Sequence, residues 1–285
     1  MTADEIRWGR YSELFPTDLA AIQAAAPLAY LPWGALEWHG PHLPLGMDGI
    51  TAEHVAERLV QRTGGVLLPT TWWPVTALPH PTSLSVNHKV IRVLLSQIFQ
   101  GLAASGWRIV VLISGHYAHG HELVLIEAAE AAIKDLGLLV LTLPPMALID
   151  EDMLDHAGLW ESSQLMAIRP DLVRLEKLGD GKLDVASSAV LGQDPRGRAS
   201  ASLGERSLSL AVERIARALS ELHDSNDPAP LLALYQQRRE RYQAYVDRYV
   251  RDSYEQAIKD WWAEQTRGES SADPSPELRT REAGR

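Results

Sequence analysis

The chain has 285 residues, 46% hydrophobic and 22% charged, a composition that supports a globular fold with a buried core. Its formal net charge of −10 argues against a nucleic-acid or anionic-membrane surface, because phosphate binding needs a basic footprint. Cysteine is absent, which excludes disulfides and thiolate metal sites, so any metal must be held by His, Asp or Glu.

The opening stretch, MTADEIRWGRYSELFP, lacks the apolar region and cleavage pattern of a signal peptide. No apolar run is long enough to span a bilayer, and the expected location is the cytoplasm. LAYLPWGALE (28–37) reads as a strand ending at Glu37. GITAEHVAERLVQRTG (49–64) has apolar residues at helical spacing and a glycine at its stop. GVLLPTTWWP then reads as a second strand, and SVNHKVIRVLLSQIFQGLAASG as a helix capped by Ser85 or Asn87. WRIVVLISG (107–115) is a continuous apolar run, the pattern of a strand covered on both faces. A helix, GHELVLIEAAEAAIKDLG, and a strand, LLVLTLPP, follow. This alternation predicts βαβ units and a mostly parallel sheet flanked by helices.

Beyond residue 160 the pattern changes. ESSQLMAIRPDLV reads as a helix ending before Pro170, residues 174–204 as loops, and LGERSLSLAVERIARALSELH (203–223) as a helix. A charged helical stretch continues to residue 265, and residues 266–285 have the composition of a disordered tail. The expected organisation is a catalytic domain over 1–228, an appended helical segment over 229–265 and the tail. The sequence contains no internal repeat.

Nine of the ten histidines fall between His39 and His156, which directs attention to residues 37–161. Ligands of open parallel sheets sit beyond the carboxyl ends of the strands. Glu37 and His39 close one strand, two residues apart and so on one side of an extended chain. Asp48 follows a segment stiffened by two prolines, and a carboxylate there can bridge two cations. His116 ends another strand in SGHYAHG and is best placed to complete a metal shell. His119 and His121 read as residues of the turn, His121 partly exposed. Tyr117 suits a substrate carbonyl or packing. In HAGLWESS (156–163), a helix starting near Gly158 turns Glu161 toward the other strand ends, and His156 suits a general acid or base. Zn²⁺ and Mn²⁺ accept this mixture of N and O donors, and Fe²⁺ is a further candidate.

Taken together, PWGALEWHGPHLPLGMD (32–48), SGHYAHG (114–120), HAGLWESS and GQDPRGRASASLGE (192–205) resemble, in order, four motifs of the creatininase (creatinine amidohydrolase) family. The resemblance covers about residues 28 to 220. It implies a three-layer α/β/α sandwich, a two-metal centre and a homohexamer or other homo-oligomer. It further implies Glu37, His39, Asp48, His116 and Glu161 as metal residues, with Asp48 bridging, and His156 as the acid–base residue. Ser83, Tyr117 and Trp160 are the candidate substrate contacts. Three departures stand out. Ala118 occupies the position of a metal-binding Glu in creatininase, which shifts weight to Glu161. Ser114 replaces the strand-end Asn, and no Trp precedes His156.

The first functional reading is a hydrolase of a small cyclic amide or related carbonyl compound, with a metal-bridging hydroxide as nucleophile. Family relatives also deformylate a formylaminopyrimidine nucleotide, trim a small peptide or open a dehydro-inositol ring. The few Arg and Lys between residues 33 and 120 disfavour a phosphorylated substrate. A ring-opening C–C hydrolase acting on a cyclic diketone is the enzymatic alternative, and a degenerate binder the non-enzymatic one. Trp38, Trp72, Trp73 and Trp160 either wall a pocket or pack in the core.

Overall fold

The computed structural model describes residues 7–266. In chain order the elements are β1 (Trp8–Arg10), α1 (Pro16–Ala25), β2 (Leu28–Trp33), α2 (Met47–Thr63), β3 (Gly65–Leu67), α3 (His88–Ala104), β4 (Ile109–Ser114), α4 (His119–Leu136) and β5 (Leu139–Leu143). They continue as α5 (Leu159–Ile168), α6 (Val185–Ser188), α7 (Ala201–Ser225), α8 (Ala229–Arg241), α9 (Gln243–Tyr249) and α10 (Tyr254–Thr266). Among the described residues no helix is long and apolar enough to cross a membrane.

The five strands form one sheet in the order β1-β3-β2-β4-β5, and every neighbouring pair is parallel. All residues of β2, β4 and β5 are buried, because helices cover both faces. The fold is the three-layer α/β/α sandwich expected. Helices α2, α5 and α7 pack together, and α3 packs with α4. Val110, Val111, Leu112 and Ile113 are wholly buried, each side chain stabilising by roughly 1.5–3 kcal/mol. That is enough to hold a strand whose every side chain points into a helical layer.

Strand order reverses between β2 and β4. From β2 the chain crosses to β3 on one side, whereas β4 leads to β5 on the other. The loops leaving β2 and β4 therefore diverge, and a crevice opens at their carboxyl ends.

Several elements differ from the sequence reading, among them the stretch 174–204 expected as loops, which holds the short helix α6 and the start of α7. β2 stops at Trp33, which forms an isolated parallel bridge to Thr71 closed by Gly34 N–H to the Thr71 carbonyl (2.8 Å). β3 is only three residues long, since Pro69 and Pro74 cannot donate to a ladder. The helical stretch to 265 is three helices, broken at Tyr242 and at 250–253. Asn87, rather than Ser85, caps α3, its side chain accepting from Lys89 N–H at 3.0 Å. Of the expected tail, residues 267–285 lie outside the described residues.

Candidate metal centre

Glu37, His39 and His42 lie in the loop after β2, and Asp48 in the first turn of α2. A carboxylate at that place is favoured by the helix dipole. The start of α2 presses directly on the end of β4. A side chain at Gly115 would stand 2.0 Å from the Asp48 carbonyl oxygen, so only glycine permits this approach. His116 follows, at the strand end. Glu161 sits in the first turn of α5, whose N-cap is Gly158.

These elements bring Glu37, His39, Asp48, His116 and Glu161 together in the crevice, all of them buried. Two donor clusters result, and they share Asp48. One is Glu37, Asp48 and His116, the other His39, Asp48 and Glu161. Asp48 Oδ2 lies 3.0 Å from His116 Nδ1, which is also 3.0 Å from Glu37 Oε2. On the other side Asp48 Oδ1 lies 2.9 Å from His39 Nε2, which is 3.5 Å from Glu161 Oε2.

The histidine tautomers follow from their other contacts. His39 Nδ1 faces the Glu37 carbonyl at 3.1 Å, and His116 Nε2 faces the Thr76 carbonyl at 2.5 Å. A carbonyl only accepts, so those nitrogens carry the protons. His39 Nε2 and His116 Nδ1 then point lone pairs at carboxylates. Glu37 Oε2, His39 Nε2 and both Asp48 oxygens are buried without a hydrogen-bond partner. Buried lone pairs converging on one another are costly unless a cation or a proton lies among them. This is the condition that a divalent metal satisfies. Without one, Asp48 and Glu161 overcome the effect of burial on His39 and hold it protonated, raised to about 10. Burial lifts Glu161 well above the usual carboxylate range.

His156 stands beside the second cluster, its ring 4.3 Å from that of His39. The loop before α7 clamps it. His156 and Leu191 exchange both backbone hydrogen bonds at 2.9 Å. Its Nε2 donates to the Trp38 carbonyl (3.2 Å), leaving Nδ1 as acceptor. Burial and His39 lower it to about 4, so it is neutral at pH 7. With Glu37 and His39 it also forms a third set of donors able to hold a metal. Next in sequence, Ala157 adopts φ 51° and gives its N–H to Glu161 Oε2 at 2.6 Å.

Tyr117 lines the cavity above these donors, together with Ala118 and His119. Ser83 and Trp160 do not. The Ser83 hydroxyl accepts from Trp38 N–H at 3.1 Å, and Trp160 packs against the main core. The aromatic set fails as a wall for the same reason. Trp38 stacks on His80, Trp72 covers Gly49, and Trp73 is 46% exposed. His121 is corrected too. It is fully buried, and its Nδ1 accepts from Val75 N–H at 3.2 Å.

Other contributors escaped the sequence. Asp155 accepts from Trp160 N–H (2.8 Å) and Glu161 N–H (3.1 Å), fixing the start of α5. The ring of His42 donates from Nε2 to the Ala157 carbonyl (3.0 Å) and supports the same turn. Tyr245, Ile258, Trp261 and Trp262, from α9 and α10, line the cavity over the donors. A D-x-x-x-x-W-E spacing just ahead of a helix start signals the first of these, but nothing local in the sequence signals the last four.

The creatininase family, described as creatinine amidohydrolase, matches residues 12–219. A creatinine amidohydrolase of Pseudomonas putida is 27% identical over 202 residues, 62% of this chain and 75% of its own. The mycofactocin precursor peptide peptidase of Mycolicibacterium smegmatis is 29% identical over 182 residues, covering 58% and 69%. A crystal structure of creatinine amidohydrolase superposes with a TM-score of 0.66 at 25% identity, over 76% of this chain and 98% of that one. Creatininase structures described as a Zn–Zn type and as Mn superpose at 0.65 and 24% identity, over the same shares.

Proposed function

The chain belongs to the creatininase family and is a metal-dependent hydrolase; from that premise we propose that it hydrolyses a small cyclic amide or related carbonyl compound at two divalent ions held around Asp48. The observation that carries this reading is the split of the Asp48 carboxylate, one oxygen in each of two buried donor clusters. Glu37 and His116 would hold one ion, His39 and Glu161 the other. Ala118 offers no donor, and Glu161 stands in its stead. The N and O donors suit Zn²⁺ or Mn²⁺, the ions named for the creatininase forms, and also Fe²⁺.

When bound, the ions supply a hydroxide at neutral pH and polarise the carbonyl under attack. The chain's own groups do the rest. The carbonyls of Glu37 and Thr76 hold the two imidazoles in the ligating tautomer. His156, neutral and open at Nδ1, accepts a proton and returns it to the leaving nitrogen. Burial keeps the Tyr117 phenol protonated, so it donates to a bound carbonyl. The substrate is a small molecule, and the protein works as a cytoplasmic homo-oligomer. Val90, Val93 and Leu94, exposed on one face of α3, support self-association.

The test joins elemental analysis to a substrate panel. Protein purified without chelator should carry two divalent ions per chain and hydrolyse a lactam. A metal-free chain that no Zn²⁺ or Mn²⁺ restores would sink the reading. Turnover of cyclic diketones alone would move it to C–C hydrolysis.

A further inference from the structure

We propose that helices α9 and α10 form the substrate-facing wall of the chain's own metal site, and that this wall admits a compact carbonyl compound while shutting out a peptide. The inference rests on the metal-centre reading above and adds to it the residues that set substrate size.

The family match ends at residue 219, so these helices lie beyond it. They nevertheless cover the crevice. Tyr254, Ala257, Ile258, Trp261 and Trp262 follow i, i+3, i+4, i+7, i+8 spacing, which gathers them on one face of α10. Ile258, Trp261 and Trp262 line the cavity with Tyr245 of α9, opposite Glu37, His116, His156 and Glu161. The Trp262 ring meets His156 edge-on at 5.8 Å, and Trp261 meets Trp262 at 5.0 Å. The Tyr245 hydroxyl is buried without a hydrogen-bond partner in the same lining, a polar atom placed for a ligand.

The wall is fixed from both ends. Glu255 accepts from His88 N–H at 2.5 Å and lies 3.1 Å from its ring, tying α10 to the start of α3. The Tyr254 hydroxyl donates to Glu127 of α4 at 3.2 Å. Arg248 (2.6 Å) and Tyr249 (2.8 Å) converge on Glu264, joining α9 to α10. The cavity left beneath has a volume of about 100 Å³, against roughly 300–1,000 Å³ for a drug-sized ligand pocket. An extended peptide needs a groove open at two ends. Here one side is closed by two indoles and an isoleucine, surfaces that instead suit the face of a small ring.

Two zinc-binding probes of different size test this on the full chain loaded with Zn²⁺: acetohydroxamate, and a hydroxamate carrying a dipeptide, each titrated by calorimetry. The wild type should bind acetohydroxamate and take the dipeptidyl probe about 100-fold more weakly. The W261A/W262A variant should bring the two within about tenfold, with zinc content unchanged. Ile258→Ala, a milder cut in the same wall, should shift the ratio the same way. A zinc-loaded wild type that binds both probes alike overturns the wall and leaves the metal centre standing. So does a ratio that stays put in both variants. A chain that takes up no zinc overturns the metal centre, and the wall falls with it.

Discussion

Asp48 Oδ2 lies 3.0 Å from His116 Nδ1, and both atoms present lone pairs, because the ring proton of neutral His116 sits on Nε2 and is donated in a hydrogen bond to the Thr76 carbonyl. The same opposition recurs between Asp48 Oδ1 and His39 Nε2 at 2.9 Å. Such a pair persists only with a cation or an extra proton between its members. Asp48→Asn keeps the volume and removes the shared charge. Loss of even an outer partner of a metal ligand costs about 10–100-fold in affinity, so this change should weaken both ions by about 100-fold or more. Elemental analysis after dialysis should find two ions in the wild type and fewer than one in the variant. Retention of both would remove Asp48 from the centre.

His156 separates catalysis from metal binding. Its Nδ1 is open, and its ring stands against His39 at 4.3 Å. As an acid–base residue it contributes about 10²–10⁴-fold to turnover. His156→Gln should therefore lower kcat by that factor on whichever lactam the wild type hydrolyses, with metal content intact. If the variant loses an ion instead, His156 belongs with Glu37 and His39 as a ligand.

The strands and helices that position the site were legible because each carries its own signal. The apolar run of β4 announces a strand covered on both faces, and Gly64 and Asn87 mark helix ends. The donors were legible for a related reason. Asp48, His116 and Glu161 lie at helix starts or a strand end, and Glu37 and His39 in the short stiff loop leaving β2, where chain geometry directs the side chain. The cavity wall was not. Trp261 and Trp262 reach the site through a bend at 250–253 that no proline or glycine marks, and the helix after it is held by contacts of Glu255 with His88 and of Tyr254 with Glu127, 167 and 127 residues away in the chain. His121 misled for the opposite reason. Its neighbours His116 and His119 are loop-like in sequence, yet its ring lies in the core, accepting from Val75 N–H and standing edge-on to His116.

His119 gives a pH dependence. Its ring stacks on Tyr242 at 4.3 Å, and burial, with Arg238 and Arg241, lowers it from 6.5 to about 4. The folded chain thus keeps it neutral where the unfolded chain protonates it. Between these values the unfolded state binds more protons, so stability is full above pH 6.5 and falls as the pH drops toward 4. At pH 5 the loss from this residue is about 2 kcal/mol. His119→Phe keeps the stacking and removes the titration. Urea unfolding at pH 7.5 and pH 5 should show the variant losing about 2 kcal/mol less than the wild type. Equal losses would mean that His119 titrates normally in the fold.

Arg238 fastens α8 to the body and bears the same kind of test. Its guanidinium is paired with Glu122 through Nε (2.6 Å) and Nη2 (2.8 Å), contacts Glu151, and meets the Tyr242 hydroxyl at 2.5 Å. Arg238 and Glu122 are both buried. Breaking a buried pair strands the remaining charge and costs about 3–5 kcal/mol, whereas replacing both partners spares most of that. Arg238→Met should therefore destabilise by about 3–5 kcal/mol in urea, and the R238M/E122Q double variant by clearly less. Because α8 leads into the helices over the metal site, Arg238→Met should also raise the accessibility of Trp262 to acrylamide before global unfolding begins. A variant that unfolds in one step, with no earlier change in quenching, would show that the ion pair serves the whole domain rather than the attachment of its last helices.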